Sequence, residues 1–354
     1  MPDGSDYHEL GPQKEAPMPI KMAAETIARD ETKPNQDSYF GIPKRGIAGV
    51  FDGIGGNAGG AQASRIGMET VKQTLLFRNP TSIAEAKKNI AEILMHAHQN
   101  IRLNAQRPGF EGMGTTGTVA QIIDNKDRTY TAVIGNVGDS RAYVFRDGKL
   151  DCTTIDDSSF TQGKLHEEAK EIQSRLSNLL TRNSQEAAEY FSKRNIISAA
   201  LGSEDGVVPK IYTITLRTGD RVILTTDGVH DNLTDREIES IMRFNAEPEN
   251  AAKRLTGNAH TISQMGKDNY ARSKRDDITA IVVKIGADSS RDEKTIPIGS
   301  TVNVMRSDGK IDSDWTVGIY NQNGSVTVFS PNGKRKTISI ASLNENNPPP
   351  KKLP

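Results

Sequence analysis

Five aspartates stand where apolar, strand-like runs begin or end, and this pattern narrows the fold more than any other feature of the chain. Asp37 follows Asn35-Gln36 and opens "DSYFGI". Asp52 closes "GIAGVF" and precedes Gly53, Asp139 follows "AVIGNVG", and Asp227 closes "RVILTT" and precedes Gly228. Asp276 follows Arg275 and leads into "DITAIVVKI". A single strand-terminal Asp-Gly is a turn signal. Five of them predict strand ends that converge, because carboxylates gathered in one place repel one another unless cations lie between them. Oxygen donors with no accompanying cysteine or histidine cluster select Mg²⁺ or Mn²⁺ over zinc. The stretch "GVFDGIGGNAGG" fits such a site. Asp52 has two oxygens with which to bridge two ions, and glycine lets the backbone approach closely enough for the Gly53 carbonyl to be a ligand. The remaining glycines are expected to clear room for ions, water and a bulky anionic substrate.

Between the aspartates the hydrophobic period changes. Strand patterns over 36–53 and 115–154 enclose residues 60–106, where apolar residues recur three and four apart as in amphipathic helices, with Ser82 as an N-cap. Asp147-Gly148 predicts a hairpin turn. Residues 161–194 are polar and helical, an excursion over the surface. Strands resume at "IISAAL", "KIYTITL" and "RVILTTDG", followed by helices over 234–243 and 247–262 and a last strand ending near 286. Helices grouped between meanders, without regular strand–helix alternation, predict an α+β fold of mostly antiparallel sheets covered by helices.

Beyond a linker at 287–295, residues 296–344 hold short alternating strands split by Ser-Asp-Gly, Asn-Gln-Asn-Gly and Pro-Asn-Gly. Turn signals at that density predict a small all-β module, a barrel or sandwich read here as an SH3-like barrel with Trp315 in its core. Residues 1–19 are expected to form a disordered arm and 345–354 a mobile Pro-rich tail.

Formal net charge is zero, which provides no overall field to draw nucleic acid or an anionic membrane. The lone cysteine, Cys152, excludes an internal disulfide and a cysteine-type zinc site, and its run reads as a strand rather than a nucleophile's setting. No apolar run approaches the roughly 18 residues a membrane helix needs. The expectation is a cytoplasmic protein in a reducing compartment.

Six motifs, "NQDS", "VFDGIGG", "GMGTTGTVA", "VGDSRAYVFRDGKL", "TTDGVHDNLTDREI" and "RDDITAIVV", follow one another from Ile20 to Ile285. In this order and spacing they resemble the metal-dependent type 2C serine/threonine protein phosphatases (PPM family) in their bacterial form. The resemblance implies a catalytic domain over 20–286, built as a central antiparallel β-sandwich flanked by helices on both sides in four layers. It implies two or three Mg²⁺ or Mn²⁺ ions. Asp52, Asp227 and Asp276 would hold the first, Asp52 and the Gly53 carbonyl the second, and Asp139 with Asp227 the third. Asp37 would act on the attacking water, making Asp37, Asp52 and Asp227 the catalytic set. Phosphoserine and phosphothreonine in proteins would be hydrolysed directly by water between two ions, reversing a cytoplasmic Ser/Thr kinase. Separately, the basic "NGKRK" turn of the C-terminal module is read either as a solvated hairpin or as a contact for an acidic partner.

The chain departs from the family pattern at several positions. Thr32 stands where an arginine usually grips phosphate, so Arg29 or Lys33 is expected to take that role. Ile54 leaves no general acid after the first Asp-Gly. Asp277 replaces the usual asparagine of the last motif and is expected to face solvent. His230, His96 and His98 are read as packing or surface residues, and Gly112, Gly114, Thr115 and Thr116 as shaping the entry to a buried strand. Residues 156–194 are either a solvated helical insertion or a substrate-selecting lid. The rival function is a pseudophosphatase acting as a signalling scaffold. A nucleotide-binding glycine loop is excluded, since "GIGGNAGG" has neither the lysine nor the G-x-G-x-x-G spacing.

Overall fold

The computed structural model describes residues 20–286, 301–305, 311–320, 325–330 and 335–339. The expected arm (1–19), linker (287–295) and tail (345–354) lie outside the described residues.

Residues 20–286 open with strands β1 (Ile20–Ile27), β2 (Asp37–Ile42) and β3 (Ile47–Ile54), then helices α1 (Gly56–Leu76) and α2 (Ile83–Ala105). Strands β4 (Gly114–Thr115), β5 (Gly117–Asp124), β6 (Thr129–Val137), β7 (Arg141–Arg146) and β8 (Lys149–Cys152) follow. Helices α3 (His166–Ser177) and α4 (Gln185–Lys193) precede β9 (Lys210–Arg217) and β10 (Arg221–Thr225). The short α5 (Asp227–His230), α6 (Asp235–Phe244) and α7 (Pro248–Ser263) lead to β11 (Ile278–Ile285).

These strands form two antiparallel sheets. One runs β1-β11-β10-β7-β8, the other β2-β3-β5-β6-β9 with β4 against the end of β3. The first and last strands pair along their whole length, Ile20 opposite Ile285 and Ile27 opposite Ile278, which closes the unit. Side chains alternate between two buried faces. On β3, Ile47 and Phe51 pack with α1 and α2, while Ala48 and Val50 face the other sheet. On β11, Ile281 and Val283 point between the sheets, and Ala280 and Val282 point toward Leu255 and Ala259 of α7. The order is therefore helices, sheet, sheet, helices, as expected. Because both faces are covered, the strands read as near-continuous apolar runs, and each fully buried Leu, Ile or Val contributes about 1.5–3 kcal/mol relative to exposure.

Local signals hold the elements at their ends. Ser82 caps α2 by accepting from the Glu85 N–H, and Thr234 and Glu237 form a reciprocal capping box on α6. Asp147 and Gly148 both adopt positive φ, 51° and 78°, as a tight hairpin requires. Two expectations are corrected. Helix α1 begins at Gly56, inside the glycine stretch, after Gly55 turns the chain at φ 119°. "IISAAL" is not a strand: Leu201 and Thr115 exchange backbone bonds of 2.8 and 3.0 Å, and Gly202 at φ 97° turns the chain away.

Helices α3 and α4 of the insertion close over a small cluster of their own, Leu176, Ala187, Tyr190 and Phe191. At the C-terminus, β12 (Thr301–Met305), β13 (Ile311–Tyr320), β14 (Ser325–Phe329) and β15 (Arg335–Ser339) form an antiparallel meander in sequence order. Val302, Val304, Val326 and Val328 are its buried core, with Trp315, Ile338 and, from the end of α6, Phe244 packed against them.

Candidate metal centre

The strands that carry the aspartates meet at one end of the sandwich. Asp37 and Asp52 are cross-strand partners at the ends of β2 and β3. Asp227 opens α5 two residues after β10, and Asp276 lies just before β11, the neighbour of β10. Asp139 sits in the turn that carries the chain from β6 in one sheet to β7 in the other. The hydroxyls of Thr226 and Thr279 donate to Asp37 Oδ2 at 2.8 and 2.7 Å, joining the two sheets through this carboxylate.

Main-chain bonds fix the end of β3. The Asp52 N–H donates to Thr116 Oγ1 at 2.9 Å, and the Asp52 carbonyl accepts from Thr115 Oγ1 and the Thr116 N–H, both at 2.8 Å. The threonines of "GMGTTGTVA" thus position Asp52 as well as leading into β5. A Cβ at Gly53 would stand 2.1 Å from the Gly60 carbonyl oxygen in α1, and one at Gly228 1.9 Å from the Asp277 carbonyl oxygen. At both positions main chain crossing behind the aspartate fills the space a side chain would need.

Asp52, Gly53, Asp139, Asp227 and Asp276 line a cleft of about 540 Å³. Burial, then the neighbouring Asp227 and Asp37, push the Asp52 carboxyl well above the ordinary carboxylate range. Burial likewise raises Asp37, against the hydroxyls of Thr279 and Thr226, and raises Asp139 together with Asp227. Asp227 is pushed up to about 6 by burial, opposed by Lys274 and reinforced by Asp276. Such a cluster ionises only with cations beside it. The donors are oxygens alone, and Asp37 Oδ1 and Asp227 Oδ1 are buried with no hydrogen-bond partner among the described residues. These observations fit a hard divalent cation. Among the described residues, no three acidic, histidine or cysteine side chains surround one point at ligand distance. The Lys274 ammonium stands between Asp227 and Asp276 and is bonded to both.

Arg29 and Lys33 do not line the cleft. Arg29 is held by its main-chain N–H on Asp277, and Lys33 Nζ lies 4.0 Å from Asp30. The cations that do line it are Arg182, Arg194, Lys267 and Lys274. All four come from the insertion or the turn before β11, and sequence reasoning missed all of them; the one available signal was a lysine two residues before Asp276. Arg194 is anchored, donating to the carbonyls of Asp231 at 2.8 Å and Arg272 at 3.0 Å. Asp277 does not face solvent: its buried carboxylate accepts the main-chain N–H groups of Arg29 at 2.8 Å and Gln36 at 2.9 Å. His230 is buried with Nδ1 2.9 Å from Thr225 Oγ1, and burial holds its pKa well below the usual value. Burial pushes the Cys152 thiol up, away from nucleophile chemistry.

Paired antiparallel sheets under helical layers meet at a carboxylate-lined cleft at the strand ends. The family model described as protein phosphatase 2C matches residues 26–262, and the chain belongs to that family. It is 28% identical over 214 residues to protein phosphatase PhpP of Streptococcus pneumoniae, covering 59% of this chain and 78% of that one. Among solved structures it resembles the catalytic domain of serine/threonine protein phosphatase PstP in complex with two manganese ions. That likeness has a TM-score of 0.58 at 22% identity, over 76% of this chain and 99% of the other. It also resembles serine/threonine phosphatase Stp1 from Staphylococcus aureus, with a TM-score of 0.60 at 23% identity over 76% and 96% of the two chains.

Proposed function

We propose that this chain is a Mg²⁺- or Mn²⁺-dependent protein serine/threonine phosphatase of the bacterial type. The observation that carries the reading is the gathering of Asp52, Asp139, Asp227 and Asp276 around one cleft in a chain of this family. Asp52, Asp227 and Asp276 would hold one ion, Asp52 and the Gly53 carbonyl a second, and Asp139 with Asp227 a third. When bound, these ions make water a nucleophile near neutral pH and neutralise charge on the phosphoryl oxygens. Asp37, gripped at Oδ2 by two threonines and unpartnered at Oδ1, orients the attacking water and takes its proton. Ile54 has no proton to give, so the departing seryl or threonyl oxygen is protonated by solvent.

Arg29 and Lys33 would have to reach the phosphate from outside the cleft lining, whereas Arg182 and Lys267 already line it. Comparing KM for a phosphopeptide in R29A, K33A, R182A and K267A assigns the grip. The substrates are phosphoproteins made by a cytoplasmic Ser/Thr kinase, and the catalytic domain spans 20–286. The C-terminal strands form an SH3-like barrel that docks a partner protein. No helix among the described residues is long and apolar enough to cross a membrane, and the single, burial-protected Cys152 suits the cytoplasm.

Hydrolysis of a phosphothreonine peptide with Mn²⁺, with EDTA and in Asp52→Asn tests the reading. Turnover is expected only with metal and to fall about 10³-fold in the variant; undiminished turnover in EDTA overturns it.

A further inference from the structure

Three carboxylates surround one ammonium at the heart of the cleft. Lys274 Nζ donates to Asp227 Oδ2 and to Asp231 Oδ2 at 2.9 Å, and Asp276 Oδ2 lies 3.1 Å away as an ion pair. The side chain is largely buried, and its backbone is clamped. The Lys274 N–H donates to Asn232 Oδ1 at 2.9 Å, and Asn232 Nδ2 donates to the carbonyls of Lys274 and Gly228, both at 2.9 Å. Residue 274 is thereby tied to the turn that carries Asp227, and its ammonium is aimed into the acidic cluster.

Two of its three partners, Asp227 and Asp276, are the carboxylates the first divalent ion needs. An ammonium and a divalent ion cannot both take those oxygens in full. Asp231, the third partner, does not depend on Lys274 alone, because Arg194 Nε lies 3.7 Å from Asp231 Oδ2. Lys274 can therefore release the two metal carboxylates without leaving Asp231 uncompensated. While it stays, it neutralises part of a cluster of buried carboxylates that would otherwise destabilise the fold.

We propose that Lys274 is a built-in counter-cation that competes with a divalent ion for Asp227 and Asp276. It supports the metal-free fold and raises the metal concentration at which the site fills. The inference rests on the metal-dependent reading of the site and adds a residue that tunes its loading. A divalent ion carries twice the charge of the ammonium, so it displaces Lys274 once its concentration is sufficient.

The test compares full-length protein with Lys274→Met, which keeps the length of the side chain and removes its charge. Mn²⁺ binding is followed by calorimetric titration and by the electron paramagnetic resonance signal of free Mn²⁺. Thermal unfolding is recorded in EDTA and in saturating Mn²⁺. The variant is expected to bind its tightest Mn²⁺ at least about tenfold more strongly, a gain of about 1.4 kcal/mol. It is expected to melt lower than the parent in EDTA and to recover in Mn²⁺. A variant that folds only when Mn²⁺ is present supports the proposal in its strongest form. A folded variant with unchanged Mn²⁺ affinity and stoichiometry overturns it, as does a variant that fails to fold with or without Mn²⁺. If neither protein binds Mn²⁺, the metal-dependent reading itself falls and takes this inference with it.

Discussion

Asp277 shows how one buried carboxylate holds its neighbours in place. By accepting the N–H groups of Arg29 and Gln36 it pins the segment that leads into Asp37, whose own side chain is not among those lining the cleft. Hydrogen bonds to a charged group contribute about 1.5–3 kcal/mol each. Asp277→Ala is therefore expected to lower stability by about 3 kcal/mol in urea unfolding and to reduce kcat more than KM, since Asp37 shifts while the cleft remains. His98 gives a pH dependence away from the metal ligands. Its Nδ1 accepts the Gly202 N–H at 3.0 Å, and burial, with a smaller push from Arg102, holds its pKa below 6.5. A histidine that resists protonation when folded binds its proton more readily when unfolded, so stability falls as pH drops through about 6.5. Urea midpoints between pH 5 and 8 should show this decline, and His98→Asn, which keeps an acceptor in place, should flatten it. At this scale the sequence named the four aspartates that line the cleft, Asp52, Asp139, Asp227 and Asp276, because a carboxylate at a strand end next to glycine is a local pattern. It carried no sign of where Asp277 points, because both of that residue's partners lie more than 240 positions away.

Helix α2 lies so close on the sheet that a side chain at Gly135 would run into it. A Cβ at Gly135 would stand 2.3 Å from Ile90 and 2.7 Å from Leu94, and one at Gly117 would stand 2.8 Å from Leu201 and 3.3 Å from Leu94. Leu94 is fully buried in that contact. Leu94→Ala should cost about 2–5 kcal/mol and Gly135→Ala about 1–3 kcal/mol, both read from denaturant midpoints with Mn²⁺ present. If Gly135→Ala were neutral, the close approach of α2 to β6 would be wrong. The helix was legible from its apolar period and its Ser82 cap. "IISAAL" looked equally apolar but makes only two isolated bridges, Ile197 with Ser158 and Leu201 with Thr115, and Gly202 turns the chain away before a ladder forms. Apolar composition marks what is buried, and pairing partners decide what becomes a strand.

The three large hydrophobic clusters draw their buried residues from Ile20 to Ile285, and Phe244 is the catalytic-region side chain packed on the C-terminal cluster. A chain ending at Gly286 is therefore expected to hydrolyse a short phosphopeptide within about twofold of the full protein, and a larger loss in steady-state assay would make the module part of the site. The sequence by itself determined the chemistry and the layered architecture. Ligand type and the order of the six motifs are properties of short segments, and hydrophobic period reports local burial. Only the tertiary structure decided which cations enter the cleft. No local pattern points Arg182, Lys267 or Lys274 at the cleft, and Lys274 meets Asp227 across 47 residues of chain. Charge, unlike hydrophobic period, leaves no trace in sequence of the partner it will meet, so the balance between lysine and metal among these carboxylates is set by folding alone.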